Sequence, residues 1–319
     1  MDLALITSIL AVTIRAGTSL VFATIGEIYT ERSGVLNLGL EGTMLMGAVS
    51  GFAAAYHTES LWWGVIVAMV VGGLMALIHA VLTVSLRADQ TVSGLALTIF
   101  GTGLSSFLGQ RLGPAGKPLV GLVGPRFERL PIPGLSDLPV VGRALFQQDL
   151  LVYIMFLFVP LAALYLYRTR PGLHLRAVGE SPQTADAKGI DVYRTRYLYT
   201  VIGGMLVGLG GAHLSLSYTP GWTENLTGGR GWIAVALVIF ATWDPGRAVL
   251  GALVFGGINA IQFRMQAAGT TIPAAFLGML PYAFTIFVLV MITWLESVRK
   301  RVGAPAALGL PYVRGERKS

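Results

Sequence analysis

The chain is dominated by apolar runs long enough to cross a bilayer, and few folds other than a bundle of membrane helices can hold them. Crossing a hydrocarbon core takes about 20 residues of α-helix. Nine segments read as candidate spans, at approximately 3–26, 34–55, 61–86, 91–109, 150–167, 197–217, 228–243, 248–263 and 277–296. The seventh and eighth are short, so eight or ten spans also fit. Of 319 residues, 54% are hydrophobic and only 12% are charged, about half the roughly 25% of a soluble domain. That excludes a water-soluble fold. The expected architecture is all-α and polytopic, a single transmembrane domain over 1–319. The first apolar run follows Asp2 rather than a basic stretch and exceeds a signal-peptide core, so no cleavable leader is expected. With no cysteine, disulfides, thiolate metal sites and cysteine nucleophiles are excluded.

The net charge of +7 is read as a membrane-facing asymmetry rather than a nucleic-acid footprint. With the amino terminus outside and the carboxyl terminus inside, inner segments hold fifteen Lys and Arg and outer segments seven; Arg15 lies within the first span. This follows the positive-inside rule. The six-proline stretch 110–149 is then a structured periplasmic loop, 168–196 a cytoplasmic loop and 297–319 a cytoplasmic tail. Gly113-Pro114-Ala115-Gly116-Lys117-Pro118 lacks the spacing of G-x-x-x-x-G-K-[ST], so the chain carries no nucleotide-binding signature.

A charge inside hydrocarbon costs several kcal/mol and needs a reason. Four ionisable side chains fall well inside the spans: Arg15, Glu41, His79 and His213. Helical depths of roughly 16 and 10 Å from the inner end bring Arg15 and Glu41 within reach of one another, so they are expected to form an ion pair. That pair either locks two helices or borders a path. The histidines have no second ligand at i+3 or i+4, so no metal site is expected; both read as helix-packing donors. No cofactor is expected, and so few titratable groups argue against a proton-coupled carrier.

The second span begins Gly34-Val35-Leu36-Asn37-Leu38-Gly39-Leu40-Glu41-Gly42-Thr43-Met44. Each glycine weakens a helix by about 1 kcal/mol, so this span is expected to be interrupted or closely approached by other backbone. Interrupted membrane helices line substrate paths. Asn37, Glu41 and Met44 share one face if the segment is helical, and they are candidate path residues. Asn259 and Gln262, closing the eighth span, are two more. The glycines also serve close packing, as does Gly47-x-x-x-Gly51 downstream. In the loop 168–196, Ser181 is placed as an N-cap, Pro182 as first helical residue and Gly189 as the stop. The short polar helix between them is either a capped connector or a docking element.

Three stretches carry a family resemblance. Gly26-Glu27-Ile28-Tyr29-Thr30-Glu31-Arg32-Ser33-Gly34-Val35-Leu36-Asn37-Leu38-Gly39-Leu40-Glu41-Gly42 resembles the signature of ABC-transporter permeases of the nucleoside-uptake group, which belongs with the branched-chain amino acid and ribose permeases. Arg176-Ala177-Val178-Gly179-Glu180, with Ala185 to Val192, is similar to the family's coupling loop. Gly229-Arg230-Gly231-Trp232-Ile233-Ala234-Val235-Ala236, continuing to Trp243-Asp244-Pro245-Gly246, is the third match.

The resemblance implies one of two different permease subunits of a bacterial importer in the cytoplasmic membrane, working by alternating access and not itself an enzyme. Its implied partners are a cytoplasmic ATPase with two nucleotide domains in one chain, a second homologous permease and an extracytoplasmic nucleoside-binding protein. Glu180, Ser181, Ala185, Asp186, Lys188 and Gly189 would belong to the ATPase-coupling helix. Asn37 and Glu41 would line the path or support a gate. A simple-sugar or branched-chain amino acid permease is the alternative within the family. A stand-alone carrier or channel, needing no docking helix, is the alternative outside it.

Overall fold

The computed structural model describes residues 3–273, 276–284, 286–287, 290 and 303–315. Six helical stretches are long and apolar enough to cross a membrane: Ile6–Arg32, Leu61–Ser85, Gln90–Gly109, Leu150–Arg168, Val192–Tyr218 and Pro245–Ala267. They match the first, third, fourth, fifth, sixth and eighth expected spans. The second and seventh differ. Helix α1 (Leu3–Arg32) runs unbroken past the expected boundary. Residues 35–39 are then non-helical, and α2 covers only Leu40–Thr58. The ninth expected span, 277–296, falls partly outside the described residues, of which 276–284 are helical.

Next in order come α3 (Leu61–Ala80), prolonged by a π-helical turn at Val81–Ser85, and α4 (Gln90–Gly109). The proline-rich stretch is structured: α5 (Val141–Phe146) sits between β1 (Arg129–Pro131) and β2 (Gln147–Asp149), which pair antiparallel with Arg129 opposite Asp149. Then follow α6 (Leu150–Arg168), α7 (Arg170–Glu180), α8 (Pro182–Ala187) and α9 (Val192–His213), the last extended by a second π-helical turn at Leu214–Tyr218. The short α10 (Arg230–Phe240) and α11 (Pro245–Ala267) complete the labelled elements.

Aspartates set four of these starts. Side chains of Asp89, Asp149, Asp191 and Asp244 accept backbone N–H groups in the first turns of α4, α6, α9 and α11. Each satisfies donors the helix itself leaves unpaired.

The long α9 is the axis of the bundle and packs on α1, α2 and α3. Glycine makes that packing possible. A Cβ on Gly47 of α2 would lie 2.5 Å from the carbonyl oxygen of Gly208 on α9, and one on Gly26 of α1 would lie 2.6 Å from that of Gly203. At opposite ends of α1, Ala11 accepts a hydrogen bond from Gln148, and the Arg32 carbonyl lies against Gly179 of α7. The proline-rich loop and the α7–α8 loop therefore occupy opposite ends of the bundle.

The contact predicts a graded response. Gly47→Ala should lower the unfolding stability of the detergent-solubilised protein by about 1–3 kcal/mol, as overpacking does. Gly103→Ala, with no atom of the described residues within 4 Å of the added methyl, should be neutral or stabilising. Equal melting temperatures for the two variants would remove this account of the α2–α9 interface.

Candidate functional site

The break between α1 and α2 is buried, so its backbone polar groups must find partners inside the protein. Gly34 ends α1 at φ +89°, a conformation L side chains adopt at a cost. Beyond it, side chains from three helices serve the non-helical segment. Gln90 Oε1 accepts from Leu36 N at 2.7 Å, and Glu27 Oε1 accepts from Asn37 N at 3.0 Å. The Thr98 hydroxyl donates to the Leu38 carbonyl at 2.9 Å. Asn37 Oδ1 accepts from Gly39 N at 2.8 Å. His79 lies 3.0 Å from the Leu36 carbonyl through Nε2 and 3.0 Å from the Ser93 hydroxyl through Nδ1. A carbonyl only accepts, so a neutral ring donates from Nε2 and accepts from Ser93.

The expected interruption is thus present, but Asn37 lies outside the helix and does not share a helical face with Glu41 and Met44. Gly34 and Gly39, and backbone bonding satisfied by side chains, make a non-helical path preferable to a helix there. Met44 is fully buried with Ala23, Leu40, Val207, Leu214 and Ala234. His79 is a packing donor, as expected; His213 is fully buried, and its ring nitrogens find no hydrogen-bond partner among the described residues.

Glu41 does not meet Arg15. Its carboxylate lies in the first turn of α2 and turns to the start of α10. There it accepts from the Thr227 hydroxyl, from Gly229 N at 2.8 Å and from Gly231 N at 2.6 Å. A carboxylate at a helix N-terminus meets unpaired N–H groups and the positive end of the helix dipole. Arg15 instead places Nε 3.6 Å from Asp149 Oδ2 and donates from Nη2 to the Ser217 carbonyl at 3.0 Å. The expected pairing assumed a helical rise from residue 34. Residues 35–39 are not helical, so the rise of about 1.5 Å per residue does not hold there and Glu41 lies elsewhere.

Sequence reasoning missed further buried charges, among them Asp149 and Arg196, which it assigned to loops. Glu27 and Glu31 lie on the part of α1 beyond the expected span, and Glu31 accepts from the Trp243 indole. Arg230, assigned to an outer loop, is buried at 8% exposure. Its Nη1 donates to the Ala16 carbonyl at 2.9 Å, and its guanidinium lies 5.1 Å from the Tyr218 ring centroid. The Gly-Gly-Arg-Gly run opening the seventh span was the available signal.

A cavity of about 310 Å³ opens beside this cap, lined among others by Tyr218, Thr227, Arg230, Asn259, Gln262 and Tyr282. Asn259 and Gln262 stand three residues apart on α11, so they face the same side. Of the five candidate path residues, these two line the cavity. Glu41 sits behind its wall, holding Thr227 and Gly229, while Asn37 and Met44 belong to the break and the core.

In the α7–α8 loop, α8 begins at Pro182, and Gly189 ends it at φ +82°. Ser181 does not cap through its side chain; its hydroxyl donates to that of Thr184 at 2.7 Å. Ala185 is buried with Val178, Val192 and Tyr312, and Asp186 pairs with Arg314 at 3.2 Å. The exposed face comprises Glu180, Gln183, Thr184, Ala187, Lys188 and Gly189. A preceding helix, α7, was not anticipated.

Among described residues no cluster of three His, Asp or Glu could hold a metal ion. The family profile described as "Branched-chain amino acid transport system / permease component" matches residues 9–294. TsgC13 of Haloferax volcanii, provisionally named a glucose ABC transporter permease, is 41% identical over 96% of this chain and 97% of its own. The guanosine ABC transporter permease NupQ of Bacillus subtilis is 34% identical over 99% of this chain and all of its own. The nucleoside ABC transporter permease NupC of Lactococcus lactis subsp. cremoris is 35% identical over 94% of each. No solved structure matches the chain significantly.

The Glu41 cap is open to a direct test. Glu41→Gln replaces one acceptor oxygen by a donor facing backbone N–H groups, and should cost about 1.5–3 kcal/mol of unfolding stability. Arg15→Gln should leave the α10 cap intact, so its effect should add to that of Glu41→Gln in the double variant. Strong non-additivity would return the two residues to a shared pair.

Proposed function

The chain belongs to the branched-chain amino acid transport system permease family, and on that basis we propose that it carries nucleosides as one of two permease subunits of an ATP-driven importer. It is a multi-pass protein of the cell membrane and a transport component. The cavity beside α10 carries the reading. Its volume falls at the lower end for small-molecule sites. Tyr218 and Tyr282 line it and bring aromatic surface suited to a heteroaromatic base. Asn259 and Gln262 each offer both a donor and an acceptor for base or ribose groups. NupQ and NupC, whose names specify guanosine and nucleosides, support the same class. A simple sugar is the second reading, favoured by the provisional name of TsgC13.

The amino terminus faces outside, which places the proline-rich loop outside and the α7–α8 loop and the tail in the cytoplasm. A binding protein delivers solute at the outer face. A cytoplasmic ATPase with two nucleotide domains seats on α8 and drives alternating access, with a second permease completing the path. The docking face is the exposed side of α8, through Gln183, Thr184 and Lys188, whereas buried Ala185 only seats the helix.

Proteoliposomes holding the full importer should accumulate labelled nucleoside only with ATP inside, and the chain alone should accumulate none. Asn259→Ala with Gln262→Ala should raise the half-saturating nucleoside concentration by about tenfold, the effect of roughly 1.4 kcal/mol. Glucose uptake without nucleoside uptake would select the sugar reading, and uptake by the chain alone would remove the importer reading. Thr184→Trp with Lys188→Glu should abolish copurification of the ATPase while the permease still inserts.

A further inference from the structure

We propose that the carboxyl-terminal segment 303–315 is a mechanical link between α8 and the break separating α1 from α2. This rests on the reading of α8 as the ATPase-coupling helix and adds a route by which its motion reaches the helix break. The segment grips both places. Towards α8, Tyr312 is buried against Val178, Ala185 and Val192, and its carbonyl accepts from the Tyr193 hydroxyl at 3.3 Å. Arg314 pairs with Asp186 of α8 at 3.2 Å. Towards the break, Gly309 N donates to the Gly34 carbonyl at 3.2 Å. Ala307 N donates at 2.9 Å to the carbonyl of Gly179, near the end of α7.

Buried Arg196 supports the link from α9. Its Nη1 donates to the Leu310 carbonyl at 3.0 Å, while Nε and Nη2 find no hydrogen-bond partner among the described residues. The tail therefore supplies the acceptor for a buried guanidinium, and pulling it away would strand that charge. The exposed Arg314–Asp186 pair adds little by itself. Tyr312 and the backbone bonds hold the segment. Gly34 and Gly309, both at positive φ, meet where the tail reaches the break.

The test uses the assembled importer with chains ending at residue 302, compared with the full chain. The ATPase should still copurify and hydrolyse ATP, because the exposed face of α8 remains. Solute moved per ATP hydrolysed should fall by about tenfold, the scale of a lost coupling energy. If the shortened chain does not accumulate, Tyr312→Ala with Arg314→Glu decides by the same ratio, since it frees the α8 side alone. An unchanged ratio in the variant measured would overturn the proposal. So would loss of ATPase copurification, which would make the tail part of the docking surface. Thr184→Trp with Lys188→Glu tests the coupling-helix reading separately. If that variant kept its ATPase, the reading of α8 would fail irrespective of the tail.

Discussion

Everything distinctive about this bundle depends on how it satisfies polar backbone where its helices stop inside the apolar interior. An unpaired buried N–H or C=O costs about 1–3 kcal/mol, so each must find a partner within the protein. Two interruptions face that cost and solve it differently. The non-helical segment 35–39 is served side chain by side chain, from Glu27, His79, Gln90 and Thr98. The start of α10 is served by one carboxylate, Glu41, reaching from another helix. Neither set of partners comes from the interrupted segment alone.

That distinction explains what could be read in advance. Long apolar runs reveal spans because hydrophobic length is local, and six of them stand where expected. The interruption after α1 was legible because Gly34, Gly39 and Gly42 burden a helix. Ser181, Pro182 and Gly189 located α8 for the same local reason, though the Ser181 hydroxyl found Thr184 rather than backbone. Partner choice was not legible. Asp149 lies 134 positions from Arg15 and was assigned to a loop, yet it starts α6 and faces the first helix. Asn259 and Gln262 were identifiable as polar groups in an apolar span. Their cavity becomes visible only when the loop before α10 folds back onto them.

The two solutions are joined through Glu41. The break ends where α2 begins, and Glu41 stands in the first turn of α2. An ion pair with Arg15 would have tied α2 back to α1, to which it is already connected by the chain. Bonds to Thr227, Gly229 and Gly231 tie it instead to the opposite interruption. Thr227 and Arg230, flanking those bonds, line the cavity. Displacement of the break therefore bears on the cavity wall through one carboxylate and its three donors. A rotation of α2 that breaks those bonds strands both a buried charge and the N-terminus of α10, which favours two discrete arrangements over continuous drift.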